Sequence, residues 1–453
     1  MRCKVERQIL AWLLGLVTLL GIPCAGSASD DEGEFILRCS PEAIHEIVRR
    51  HGFTLIRSHE SQGIHFVLAP ASARPEHFLS DLRSDPDVQG IEPDIDVMLA
   101  EARPGLKVDQ STASILDTLS HRTLVPFYGS RVLSSYVNQP AVVLTGSAEA
   151  HQLATGAGIV AVIDTGVDPN HPVLKASLVP GFDFTRNLPG IPSEFADLGQ
   201  STASILDQST ASILDQQTIL ILNQSTASIL DQSTASILDT RQVPRTFGHG
   251  TMVAGIIHLV APAAQIMPLK AFEADGTAHL FDILRAIYYA VDHGAKVINM
   301  SFSTEQRSAE MKRAINYAVS RGVICVSSAG NNGSRLRVYP AAFDNVLGVG
   351  STSNLDARST FSNFGDQVVT LAAPGEGIIT TYPGGHYAAA WGTSFSTAFV
   401  SGGAALLLQM NIRTNQEAAA DALEGNAKQL PDRLGLGEGR IDLYRALMSV
   451  IRP

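Results

Sequence analysis

The stretch Gly158-Ile159-Val160-Ala161-Val162-Ile163, followed at once by Asp164-Thr165-Gly166, decides the architecture. Six continuous apolar, mostly β-branched residues form a strand buried on both faces, the type that fills a parallel sheet. Val297-Ile298-Asn299-Met300 and Val323-Ile324-Cys325-Val326 repeat the pattern. Helical stretches lie between and after them at Gly250 to Leu259, Leu280 to His293, Ala309 to Arg321 and Ser394 to Gln409. Alternating strands and helices predict an α/β fold, a mainly parallel sheet covered on both faces in three layers.

Working outward from this core, the 453 residues allow two or three domains. With 38 glycines and 17% charged residues the chain is glycine-rich and charge-poor, without the signature of disorder. A net charge of −11 and the lack of any basic run exclude a nucleic-acid groove. Of four cysteines, Cys3 and Cys24 fall in a leader, and Cys39 and Cys325 lie in different domains, so no disulfide framework is expected.

Residues 1–29 read as a secretory signal peptide: Arg2, Lys4 and Arg7, an apolar stretch from Ile9 to Ile22, then the small residues Ala25 to Ser29. The apolar stretch is shorter than the ~20 residues of a membrane span. The mature chain is therefore expected to be secreted or periplasmic, with no membrane attachment.

Residues 30–101 form a small α+β domain. Phe35 to Leu37 is a strand; Ser40-Pro41-Glu42 opens a helix whose Ile44, Ile47 and Val48 share one face and which His51-Gly52 ends. Strands at Phe53 to Ile56 and His65 to Leu68, a helix at Pro75 to Leu82 and a last strand at Ile95 to Leu99 complete a ferredoxin-like βαββαβ pattern. Residues 102–120 are a linker, and residues 121–453 the main domain.

An octapeptide, Gln-Ser-Thr-Ala-Ser-Ile-Leu-Asp, occurs at Gln110 to Asp117 and in tandem through Gln200 to Asp239, where the copy at Gln216 to Asn223 is degenerate. Eight residues advance a helix by about 800°, so the Ile-Leu pairs form no stripe. In a strand they point to opposite faces. The block 200–239 is expected to be a flexible insertion, because it has too little apolar surface to offset its ordering entropy.

Three polar residues stand where a buried α/β core gives them a use. Asp164 follows its strand, at the sheet end where open α/β sites gather. His249 and Ser394 each start an apolar helix, whose amino end favours negative charge. An acid, an imidazole and a hydroxyl make a nucleophilic triad, although each alone is as readily a cap or a turn residue.

Together, Asp164-Thr165-Gly166-Val167-Asp168, His249-Gly250-Thr251-Met252-Val253-Ala254-Gly255 and Gly392-Thr393-Ser394-Phe395-Ser396-Thr397-Ala398 resemble the three signatures of the subtilisin-like serine proteases, in the same order. The resemblance runs from about Val142 to the end, apart from the block. It implies a serine endopeptidase: catalytic Asp164, His249 and Ser394, with Asn331 of Ser327-Ser328-Ala329-Gly330-Asn331 in the oxyanion hole. It implies a peptide or protein substrate bound between Gly276, Thr277 and Ala278 on one side and Ser301, Phe302 and Ser303 on the other. The primary pocket would be walled by Ser301 to Ser303 and by Ser328, Ala329 and Gly330. Val338, where a glycine is usual, would make it small.

The resemblance also implies that residues 30–101 are a propeptide, the chain's own intramolecular inhibitor. No cofactor is expected. Val173 stands where many relatives have an aspartate, so a common calcium site is missing, while other structural calcium sites stay open. Met252 and Ala398 depart from the family pattern without removing a catalytic atom. The competing reading is an inactive subtilisin-like binding protein, or a precursor disabled by the insertion between Asp164 and His249. A dinucleotide site is excluded, because Gly156-Ala157-Gly158 precedes its strand.

Overall fold

The computed structural model describes residues 33–70, 75–99, 123–198, 220–221, 244, 246–411 and 413–451. The expected signal peptide, the linker and nearly all of the octapeptide block lie outside these residues. The chain divides into two compact units, Met1–Asp94 and Ile95–Pro453.

In the first unit, β1 (Glu34–Cys39), α1 (Ile44–His51), β2 (Thr54–His59), β3 (Ile64–Leu68), α2 (Pro75–Ser84) and β4 (Val88–Pro93) follow in sequence. The antiparallel sheet has the order β2-β3-β1-β4, the strand order of the ferredoxin-like pattern. Its core joins Phe35, Leu37, Ile44, Ile47, Val67 and Leu82. Gly52 ends α1 in the left-handed conformation, its N–H bonded to the Val48 carbonyl, as the sequence predicts.

Two expectations are corrected here. The helix starts at Ile44 rather than at Pro41, because Ser40 and Ala43 close a separate turn before it. The fourth strand is Val88–Pro93, paired with β1, and not Ile95 to Leu99. Gly90 and Pro93 break the alternation that marks a strand, which hid β4 in the sequence. The segment read as the last strand, β5 (Asp96–Leu99), belongs to the second unit.

The second unit is built on an eight-stranded sheet. After a hairpin of β6 (Leu124–Phe127) and β7 (Ser130–Leu133) come β8 (Ile159–Asp164), β9 (Gly181–Asp183) and β10 (Leu188–Gly190). β11 (Leu220–Ile221) pairs in parallel with Ala388 and Ala389, and is the described part of the block. It falls in the degenerate copy, where Ile219 and Leu220 extend the octapeptide's Ile-Leu pair to a run of four apolar residues.

Then follow α3 (His249–Val260), β12 (Gln265–Lys270), β13 (Thr277–His279), α4 (Leu280–Asp292), β14 (Ala295–Met300), β15 (Phe302–Ser303), α5 (Ala309–Ser320) and β16 (Ile324–Ser328). The chain ends with β17 (Leu347–Thr352), β18 (Leu371–Pro374), β19 (Ile378–Tyr382), β20 (His386–Ala390), α6 (Thr393–Met410), α7 (Gln416–Glu424) and α8 (Leu443–Ile451). The sheet order is β10-β9-β12-β8-β14-β16-β17-β18, parallel except for the β9–β10 pair.

Alternate residues of the central strands, Val160, Val162, Val297, Ile324 and Val326, share one core cluster with α3 and α6. α4 and α5 pack on the other face against β8, β14 and β16. The helices that begin with His249 and Thr393 thus lie side by side on one face. Their close approach depends on Gly402, where an added Cβ would come 2.6 Å from Val260 Cβ.

Cys39 and Cys325 are buried free thiols, and burial pushes the Cys325 thiol up to about 12. Among the described residues, no helix is long and apolar enough to cross a membrane.

His258, near the end of α3, is buried beside Ser177, Phe127, His151 and His171. Burial first, then the two neighbouring imidazoles, bring its pKa down to about 4. A folded-state value below the unfolded ~6.5 means that the unfolded chain binds the extra proton between these limits. Stability from this group is complete above about pH 6.5 and falls away toward pH 4, by about 3 kcal/mol in all. Urea unfolding between pH 7 and 4 should show this acid slope, and His258→Gln should reduce it, leaving the part contributed by His65, His151, His171 and His386, whose burial also lowers their pKa values.

Candidate active site

Asp164 ends β8 with no exposed surface. Its Oδ1 accepts from the Thr165 N–H at 2.8 Å, and Oδ1 and Oδ2 lie 2.8 and 2.9 Å from His249 Nδ1. A carboxylate on Nδ1 fixes the tautomer that leaves Nε2 basic. The motifs meet at Gly250, where an added Cβ would lie 2.0 Å from the Gly166 carbonyl oxygen. Only glycine admits that contact, so the two backbones bring the carboxylate and the imidazole together.

Ser394 is the second residue of α6 and fully buried. The ring of Phe395, the next residue, lies 5.5 Å from the His249 ring, which sets the start of α6 beside the imidazole. Ser394 is also tied to the end of β14. Its Oγ donates to the Ser301 carbonyl at 3.2 Å, and the Ser301 Oγ donates to the Ser394 carbonyl at 3.1 Å. Ser301 Oγ accepts in turn from Asn299, whose Oδ1 accepts from Ser401 of α6. The sheet end and the helix start are thereby cross-braced.

Asn331 follows β16. Its Oδ1 accepts from the Thr393 N–H at 3.0 Å and the Thr393 Oγ at 2.9 Å, which fixes the amide plane. A Cβ built on Gly392 would be 3.3 Å from Asn331 Nδ2, so the donor end of the amide faces the turn into Ser394.

The extended edges named from the sequence are brought together by β5, the central strand of a three-stranded sheet in the order β13-β5-β15. Thr277, Ala278 and His279 face Met98, Val97 and Asp96, while Phe302 and Ser303 face Leu99 and Met98. The Leu99 N–H donates to the Gly276 carbonyl at 2.9 Å. Val97 and Leu99 are buried, and Met98 is 57% exposed.

Ser328 donates to the Phe302 carbonyl, Gly330 approaches Ser303, and Ala329 packs with Val338. Thr304 and Tyr339 exchange backbone hydrogen bonds, which tie the Val338 loop to the strand of Ser301 to Ser303. All the site residues expected from the sequence therefore lie in one unit, at or beside the carboxyl ends of the central strands.

The sequence reading missed Glu194. It is buried, and its Oε1 accepts from the Thr165 Oγ at 2.5 Å and the Gly250 N–H at 3.1 Å, while Oε2 accepts from the Thr251 Oγ. Burial first, then the nearby Asp164, push its carboxyl up to about 7, against the lowering effect of the two threonine hydroxyls and Lys270. Ile191-Pro192-Ser193-Glu194 reads only as a loop, with no periodicity to signal that the glutamate turns inward.

This fold and this buried acid–imidazole pair beside a serine at a helix start define an α/β serine peptidase. Residues 156–439, more than half of the chain, match the model of the Subtilase family. The chain is 32% identical over 315 residues to thermitase of Thermoactinomyces vulgaris, covering 66% of this chain and 92% of that one. It is 32% identical over 293 residues to a thermophilic serine proteinase of Bacillus sp. (strain AK1), covering 64% of this chain and 61% of the relative.

Fervidolysin from Fervidobacterium pennivorans, described as a keratinolytic enzyme related to subtilisin, shares the fold. The TM-score is 0.67 at 21% identity, over 92% of this chain and 61% of fervidolysin. The chain thus spans about three fifths of the length of two of these relatives. It belongs to the subtilase family, the family of the subtilisin-like serine proteases.

Proposed function

We propose that the chain is a secreted serine endopeptidase, made as a precursor whose own segment blocks the substrate groove. Ser394 Oγ attacks the peptide carbonyl while His249 takes its proton, and His249 later returns a proton to the leaving amine. Asp164 orients the imidazole and stabilises its charged form. Asn331 Nδ2 and the backbone N–H of Ser394 donate to the oxyanion. The observation that carries the reading is the buried Asp164–His249 contact at 2.8 Å beside the start of α6.

A substrate would add as a strand between Gly276–Ala278 and Ser301–Ser303. The position of β5 on those same edges supports the inhibitory role of the segment before Ala100. The signal-like sequence of residues 1–29 supports secretion.

The reading needs no cofactor. The Val173 position takes no calcium in this account, since its side chain offers no oxygen and packs with Leu259, Ile379 and Trp391.

A fluorophosphonate should label the full-length protein once a new N-terminus between residues 99 and 123 appears by intact mass. Ser394→Ala should abolish both labelling and processing. Equal labelling of wild type and variant, or none of either, would instead favour a non-catalytic binding protein or a disabled precursor.

Asn331→Ala should lower kcat with little change in KM. The loss expected is about 10²–10³, the cost of removing the matching donor in subtilisin. A donor that acts only on the transition state leaves substrate affinity alone. Val338 should favour Ala and similar small uncharged side chains on the acyl side of the cut bond; equal or faster cleavage after Phe or Tyr in a peptide library contradicts that.

A further inference from the structure

We propose that Glu194 is a positioning residue of the catalytic apparatus, holding the strand end that carries Asp164 and the helix that carries His249 in register. The inference rests on the triad reading above. Glu194 bridges three backbone segments. Its own N–H reaches the Val167 carbonyl, its Oε1 takes the Thr165 hydroxyl and the Gly250 N–H, and its Oε2 takes the Thr251 hydroxyl. Thr251 Oγ accepts in turn from the Asp168 N–H at 2.8 Å. Gly248 stands at the cap position of α3 and has no side chain to offer, so Glu194 supplies an acceptor to the first turn from another loop.

The geometry reaches Asp164 through one shared proton. Thr165 Oγ lies 2.5 Å from Glu194 Oε1 and 3.3 Å from Asp164 Oδ1, and a hydroxyl has a single hydrogen to donate. An ionised Glu194 draws that hydrogen to itself. Asp164 then keeps the Thr165 N–H and the His249 Nδ1 as its partners. A neutral Glu194 competes less well, and the hydroxyl can turn to Asp164 and weaken its pull on the imidazole. The carboxylate at position 194 also adds negative charge near the developing imidazolium, which stabilises it.

The groups that face Glu194 are few. Asp164 comes from β8, Lys270 from β12 and Tyr382 from β19, with the Asp164-bound His249 on α3. On its own loop lies Asp197, paired at 2.7 Å with Lys270 Nζ and at 2.5 Å with Arg186. The Lys270 charge is therefore shared with Asp197 and only partly offsets Glu194.

The test is the pH dependence of kcat/KM for Glu194→Gln and Glu194→Ala, using processed enzyme and a peptide substrate, with Ser394→Ala cleaved in trans by the wild-type enzyme alongside. Glu194→Gln keeps the shape and the acceptor for Gly250 but removes the charge. Its acid limb should move to lower pH by up to about half a unit, because Glu194, which titrates near 7, is ionised over only the upper part of that limb and stabilises the imidazolium there. Glu194→Ala should lose about tenfold or more in kcat with KM within about twofold of wild type, and Gln should restore most of that loss.

Glu194 as mere packing would shift the melting temperature and leave the limb in place. If Glu194→Ala does not fold, the Gln profile alone decides. Profiles of the folded Glu194 variants that superpose on wild type, with Ser394→Ala inactive, overturn this inference and spare the triad. Full activity in Ser394→Ala overturns the triad itself.

Discussion

The contact on which the site depends is the pairing of Asp164 with His249, two groups that the fold withdraws from water. An unpaired carboxylate in that position would cost several kcal/mol, so its place is fixed by the donors around it rather than by its own preference. The donors are the Thr165 N–H and the His249 Nδ1–H. Gly250 lets the helix start sit directly on the Gly166 carbonyl. A side chain of any size there would separate acid and base before it affected anything else.

From that contact the remaining parts follow as braces. Serine hydroxyls connect the end of β14 to the start of α6, and Thr393 anchors Asn331. Each brace joins a strand end to a helix start across the same edge of the sheet. A polar site of this kind is preorganised because its dipoles are already held in place by the scaffold, so little reorganisation is left for the reaction. Glu194 belongs to the same set. It is the one titratable group among these braces.

Much of this was legible in the residues because the signals were local. Ile159 to Ile163 announces a buried strand, and the motifs around Asp164, His249 and Ser394 place those residues at strand and helix ends, where the structure has them. Glu194 was not legible, since its role depends on three segments remote in sequence that meet only after folding. β4 was missed for a different reason. Its Gly90 and Pro93 lower strand propensity, and pairing with β1 overrides that. The segment Ile95 to Leu99 signals a strand, and a strand runs from Asp96, but its partners are β13 and β15 and not β1, because alternation identifies a strand and says nothing about its neighbours.

The octapeptide block raises the question of how 85 positions can separate an acid and a base that must touch. The flanks supply the answer. Leu198 before the block and Phe247 after it are buried in the same core cluster, and the Phe195 and Phe247 rings lie 5.5 Å apart. The two flanks of the block therefore lie at neighbouring points of the core. Loop-closure entropy grows only with the logarithm of length, so a roughly fivefold lengthening of the connection between Leu198 and Phe247 costs about 1.5 kcal/mol. The packing of Phe195 against Phe247 and the Glu194 bonds to Thr165, Gly250 and Thr251 oppose that cost on the two sides of the insertion point. An expansion of repeats at this position therefore loads the connection between acid and base, while the described flanks on either side are bonded to the segments that carry the Asp164–His249 contact.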